Sequence, residues 1–128
     1  MRHLPSHELP IRDLKNAHPV PVPWRPIFVE IANAMSRPGA SDLPRCVAPL
    51  SGTALARAKA TIKAYGVNAV LVPPESWQSS CAQWMGDRWD VVVDLWAETG
   101  EPTDLVLAAQ VRSEADMWKF EVTGVYVP

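Results

Sequence analysis

The sequence predicts an α+β fold, with two helices packed on one face of a four- to five-stranded, mainly antiparallel meander sheet. Two observations predict it. Apolar residues recur at helical spacing between residues 26 and 65, and from Val67 onward they alternate with polar residues as in strands. The turns expected between the later strands are short, which favours antiparallel hairpins over long crossover connections.

An extended, proline-rich arm is expected before the helices. Residues 1–23 contain five prolines, and the run Pro19-Val-Pro-Val-Pro23 favours polyproline II over helix. Residues 24–128 contain no internal repeat and no linker, so they predict a single α+β domain.

The first helix should begin near Pro26, which suits a first helical turn. Phe28, Ile31 and Met35 recur on one side of it, and Pro38-Gly39 should end it.

The second helix is expected to be capped by Ser51 or Thr53, and Gly66 stands where a left-handed C-cap belongs. Its inward side is predicted to carry Leu55, Ala58, Ile62 and Tyr65.

The strands should begin with Val67–Val72, followed by a loop or helical turn over residues 75–80. A hairpin is then expected around Gly86-Asp87, because glycine at the first central position suits a two-residue type II′ turn. This turn sets Trp84 opposite Trp89. The predicted strands from there on are Cys81–Met85, Trp89–Ala97, Leu105–Arg112 and Trp118–Val127.

Alternation along these strands separates two faces of the sheet. One is almost wholly apolar and should pack against the helices. The other, called the second face from here on, is predicted to carry Gln83, Asp90, Val92, Asp94, Trp96, Val106, Ala108, Gln110, Glu121, Thr123, Val125 and Val127. Its mixture of apolar and charged residues leaves two interpretations open. Either the arm or a helix covers it, or it is open to a partner.

Charge is distributed unevenly along the chain. Residues 1–63 hold nine Lys/Arg against four Asp/Glu, and residues 64–128 hold three against ten. On the second face, a partner would meet Trp96 as an apolar anchor among carboxylates, a pattern typical of protein interfaces. The negative charge of this half of the chain favours a basic partner. The candidate contacts are Asp90, Asp94, Trp96, Asp104 and Glu121.

The residue content offers little for catalysis or for cofactors. All three histidines precede residue 19, and neither they nor Cys46 and Cys81 match a zinc spacing. No glycine-rich phosphate loop is present, so neither a metal nor a cofactor is expected, and the protein is not predicted to be an enzyme. The mildly acidic chain argues against a nucleic-acid partner. The absence of an apolar run of membrane length or a signal sequence favours a cytoplasmic location.

Three segments carry a resemblance to a known family. They are Cys-Ala-Gln-Trp-Met-Gly-Asp-Arg-Trp-Asp-Val-Val-Val-Asp-Leu-Trp (residues 81–96), Thr-Asp-Leu-Val-Leu (103–107) and Phe-Glu-Val-Thr-Gly-Val-Tyr-Val-Pro (120–128). With the helix at 26–36, they resemble a family of small bacterial domains of unknown function, over residues 26–128. The resemblance implies no catalytic residues. In size, acidity and plan, the chain is also loosely similar to immunity proteins of bacterial toxin systems, by analogy alone.

These observations predict a protein-binding module, specifically an immunity- or antitoxin-type inhibitor. Its acidic second face would cover the basic surface of a toxin or other enzyme. The alternative is a structural or regulatory module that forms a homodimer through the same face. In that case, like charges such as Asp90 and Asp94 would have to avoid their own copies.

Overall fold

A computed structural model describes residues 9–36 and 43–128. It confirms the predicted α+β class, with two helices and a curled five-stranded antiparallel sheet. The elements are α1 Arg25–Ser36, α2 Gly52–Tyr65, β1 Val70–Leu71, β2 Cys81–Trp84, β3 Trp89–Ala97, β4 Pro102–Glu114 and β5 Met117–Tyr126, with 3₁₀ turns at Val22–Trp24 and Pro74–Gln78. The expected helix stop at Pro38-Gly39 lies outside the described residues.

The caps of α2 follow the sequence prediction. The Ser51 side chain accepts a hydrogen bond from the Ala54 N–H, so Ser51 rather than Thr53 is the N-cap. Gly66 ends the helix with a φ of 107°, in the left-handed region that favours glycine. Tyr65 was expected to face inward, but it is 39% exposed because its hydroxyl bonds to β4.

The sheet is built around β3, which pairs with β4, and β4 pairs with β5. The β2–β3 register is as predicted, with Trp84 opposite Trp89. Gly86 has a φ of 102°, as the first central residue of a type II′ turn requires. β1 is shorter than the expected strand Val67–Val72, and it pairs with the end of β3 beyond β2. Two short strands therefore share one edge of β3.

Aromatic rings fill the centre of the core. Trp24 meets Trp89, Trp118 and Phe120 edge to face, at centroid distances of 5.6, 5.4 and 5.9 Å. Phe28 of α1 also packs on Phe120. Such edge-to-face contacts add to the free energy of burial, and they fix the first helix against the sheet. The prediction that the apolar face of the sheet packs against the helices is confirmed.

Both outer strands are partly covered along their edges. The arm lies against β2, where the backbone of His18 exchanges two hydrogen bonds with Ala82, and the Trp89 indole N–H donates to the Ile11 carbonyl. Residues 46–48 pair with β5 at Phe120. These segments shield parts of the sheet edges from pairing with other chains.

One face assignment was wrong because of a β-bulge. The β4–β5 register shifts between Ala108 and Ala109, so an extra residue enters β5 at Thr123. A one-residue shift moves all later side chains to the opposite face. Val125 therefore belongs to the buried core and not to the second face, and Tyr126 is the residue paired with Val106.

Candidate functional site

The second face is left uncovered by the helices. In the described part of the chain, neither of its two cavities is lined by a residue of the arm, α1 or α2. Between them, Val92 of β3 and Ala108 of β4 are only partly buried. Of the two interpretations of this face, the geometry therefore favours the open one.

The first cavity, of about 510 Å³, lies where β3 ends and β4 begins. We call it the C-terminal cleft. It contains three of the five predicted contact residues, Asp94, Trp96 and Asp104, and none of the Lys or Arg residues that the structure describes lines it. Its lining residues are Ser79, Asp94, Trp96, Pro102, Thr103, Asp104, Val106, Val127 and Pro128. The cleft thus combines a partly exposed indole with two carboxylates.

Asp94 is held in this cleft by the loop between β1 and β2. Asp94 lies on β3 between the stretches that pair with those two strands, so neither β1 nor β2 bonds to its backbone on that edge. The Ser80 hydroxyl accepts from the Asp94 N–H at 2.9 Å, and the buried Ser76 hydroxyl donates to its carbonyl. The Asp94 carboxylate accepts a hydrogen bond from the Ser79 hydroxyl. Three serines therefore fix both backbone and side chain.

Asp104 is positioned from the other side by α2. The Tyr65 hydroxyl accepts a hydrogen bond from the Asp104 N–H at 3.0 Å and donates to its carboxylate at 3.4 Å. Like Asp94, Asp104 is held by neutral hydroxyls rather than by a cation. The negative charge of both carboxylates is therefore left for a ligand to neutralise.

Asp90 and Glu121 lie away from the cleft. They belong to one row across the sheet, in which Asp90 pairs with Gln110 and Gln110 with Glu121. The Arg88 guanidinium bonds to the Asp90 carboxylate at 3.1 Å. Asp90 is thus already paired with a cation, and the five predicted contacts do not form one continuous acidic rim.

The opposite end of the second face carries cations as well as carboxylates. A second cavity of about 360 Å³ there is lined by Arg45, Arg112 and Lys119, together with Glu114 and Glu121. Arg112 and Lys119 are cross-strand partners. Their place could have been found from the sequence, because they lie two residues from Gln110 and Glu121 and so share their face.

The thiol of Cys81 does not have the properties of a nucleophile. Although the arm brings His18 beside β2, the His18 imidazole Nε2 bonds to the Asp13 carboxylate at 2.9 Å. Burial, followed by the charge of Asp94, raises the pKa of the Cys81 thiol, whereas reactive thiols have a lowered pKa. Within residues 9–36 and 43–128, no three His, Cys, Asp or Glu side chains group as metal ligands. The helices of the same residues include none of sufficient length and apolar character to span a membrane.

Comparison with known proteins identifies a family. The model of DUF7668, described as a domain of unknown function, matches residues 39–128, so the chain belongs to this family. Curated proteins and solved structures gave no match. The matched range includes α2, all five strands and the whole C-terminal cleft.

Proposed function

We propose that this member of the DUF7668 family is a protein-binding module whose C-terminal cleft receives a basic side chain of a partner protein. The observation that carries the proposal is the pairing, in one open cavity, of Trp96 with two carboxylates that have no cationic partner among the described residues. A lysine or arginine could stack on the indole and bond to Asp94 or Asp104.

The cleft is rigid, and this supports a recognition role. Because Asp94 and Asp104 are held by hydroxyls from two separate elements, little side-chain freedom would be lost when a cation binds between them. A partly buried tryptophan within a polar surround is also the usual composition of an energetic centre in a protein interface.

The specific function we propose is inhibition, as in immunity or antitoxin proteins. A module that covers a basic active-site surface needs a preformed acidic patch and no chemistry of its own. The long-range attraction of the cleft carboxylates would speed the encounter with such a surface. On this proposal the partner is a basic toxin or enzyme, and the complex forms in the cytoplasm.

Capture of the partner tests this proposal. The immobilised protein would be exposed to lysate of its own source at low and high salt, beside the double variant Asp94→Asn/Asp104→Asn. A control, Asp87→Asn/Asp116→Asn, makes the same change of charge at the two hairpin turns at the opposite end of the sheet. We expect a basic protein that binds to the wild type and to the control, elutes with salt and is lost from the cleft variant. Equal retention by all three would contradict the proposal.

Self-association is the second candidate function, and the charge arrangement of the second face favours it. This face is acidic at the C-terminal cleft, carries the cations Arg112 and Lys119 at its other end, and is small and apolar between them at Val92 and Ala108. Two copies related by a twofold axis through the middle would place the cleft of each copy over Arg112 and Lys119 of the other. The repulsion between copies of Asp90 and Asp94, which the sequence predicts, is then offset by attraction between the carboxylates of one copy and the cations of the other.

Light scattering at low micromolar concentration separates the two candidates. A homodimer through this face should persist at low salt and dissociate in Val92→Arg, where a charge enters the apolar middle. A monomer at every salt concentration would eliminate self-association and leave the inhibitor proposal standing.

A further inference from the structure

A third cavity, similar in size to the C-terminal cleft, lies on the other side of the molecule, between α2 and β5. It measures about 520 Å³, within the roughly 300–1000 Å³ range of small-molecule pockets. Its lining residues are Met35, Leu50, Ala54, Arg57, Ala58, Ala60, Thr61, Val122, Thr123, Gly124, Val125 and Tyr126. Neither the cleft residues nor the proposed partner contacts belong to it.

The walls of this cavity are mainly apolar. Met35 and Ala58 belong to the buried core, and Leu50 and Val122 pack against it. The space is therefore suited to an apolar group, whose transfer from water would be favourable.

One charge lies at the edge of the cavity. Among the described residues, Arg57 is the only charged one that lines it, and none of them that lines it is acidic. Arg57 is exposed and makes no ion pair or hydrogen bond in the described part of the chain. Thr61 and Thr123, which also line the cavity, have hydroxyl groups that can donate hydrogen bonds.

We propose that this cavity binds an apolar monocarboxylate, such as a medium-chain fatty acid, with its chain between α2 and β5 and its carboxylate on Arg57. A guanidinium recognises a carboxylate through two parallel N–H bonds, which gives the ligand one orientation. The single positive charge and the absence of acids favour an anionic ligand over a neutral or cationic one.

Decanoate and decanol, titrated below their micelle-forming concentrations and followed by amide NMR, form a matched pair of probes. Decanoate should give saturable shifts confined to residues 54–61 and 122–126. Decanol, which lacks the charge, should bind about tenfold more weakly. Shortening decanoate to octanoate should weaken binding by up to about fourfold per methylene removed.

Two variants identify the parts of the site. Arg57→Gln should weaken decanoate about tenfold and leave decanol unchanged, because only the charge is lost. Ala54→Phe with Thr61→Phe, two substitutions on the α2 wall, should fill the cavity and abolish binding of both probes, while near-ultraviolet circular dichroism confirms that the tryptophan core is intact. Shifts that do not saturate, or that survive in the filled variant, would overturn the proposal. Equal affinity of decanoate for wild type and Arg57→Gln would overturn the assignment of the carboxylate.

Discussion

Ser80→Ala should destabilise the fold because it removes the hydroxyl that accepts a hydrogen bond from the backbone N–H of Asp94 on β3. The Ser80 hydroxyl accepts from the Asp94 N–H at 2.9 Å and donates to the Ser76 carbonyl at 2.8 Å. It is 4% exposed, so water cannot readily replace it. An orphaned buried donor costs about 1–3 kcal/mol, and we expect the free energy of unfolding to fall by that amount.

The neighbouring serine provides the control. Ser79 bonds to the Asp94 carboxylate, but it is exposed, so Ser79→Ala should change the free energy of unfolding by less than about 0.5 kcal/mol. Urea unfolding followed by tryptophan fluorescence measures both variants, with an unchanged m-value as the sign that only stability has changed. Equal midpoints for Ser80→Ala and the wild type would refute the account of how Asp94 is held.

Three further predictions concern the caps, the arm and the core. Gly66→Ala should lower the free energy of unfolding by about 1 kcal/mol, because the φ of 107° is strained for any other residue, whereas Gly52→Ala should not destabilise; thermal unfolding checks both. The hydrogen bond with His18 and, next, that from the Lys15 backbone N–H lower the pKa of Asp13 from 3.8 to about 2. The ionised Asp13 carboxylate therefore stabilises the docked arm fully above pH 3.8, and this stabilisation is lost as the pH falls through about 2. Asp13→Asn should remove that pH dependence and, at neutral pH, speed tryptic cleavage at Lys15. Trp24→Ala should cost about 3–5 kcal/mol in urea unfolding, since Trp24 is 1% exposed at the centre of the aromatic core.

Most of the fold could be predicted from local patterns. The stripe of Phe28, Ile31 and Met35, the cap at Ser51 and the glycine at the β2–β3 turn each act within a few residues. Such local signals determine helix limits and hairpin register directly. The predicted class and the Trp84–Trp89 register are therefore confirmed.

What escaped prediction depends on contacts distant in the sequence. The bulge at Thr123 lies beside Gly124, a residue type that often marks a bulge, but strict alternation predicts no extra residue there, so the face of Val125 was assigned wrongly. Ser76 and Ser80 replace a strand only because β1 and β2 leave a gap beside Asp94. The alternation along β4 and β5 also predicts that Arg112 and Lys119 lie on the second face, although the C-terminal half as a whole is acidic.

The candidate site was predicted in part. Asp94, Trp96 and Asp104 do lie together in one cleft, whereas Asp90 is paired with Arg88 and Glu121 lies at the other end of the face. The alternation of side chains along a strand assigns residues to a face of the sheet, but it does not predict which cross-strand rows of that face line a cavity. Whether these residues bind a partner stays a prediction.

The most direct test of the central claim is the association rate of the captured partner, measured by surface plasmon resonance over a range of salt concentrations. Asp94→Asn/Asp104→Asn should slow association and make its rate less dependent on salt concentration, because those carboxylates attract the basic partner. Charge reversal at Asp94 should slow association more than reversal at Asp90, which is already paired. An unchanged rate and salt slope in the cleft double variant would contradict the claim.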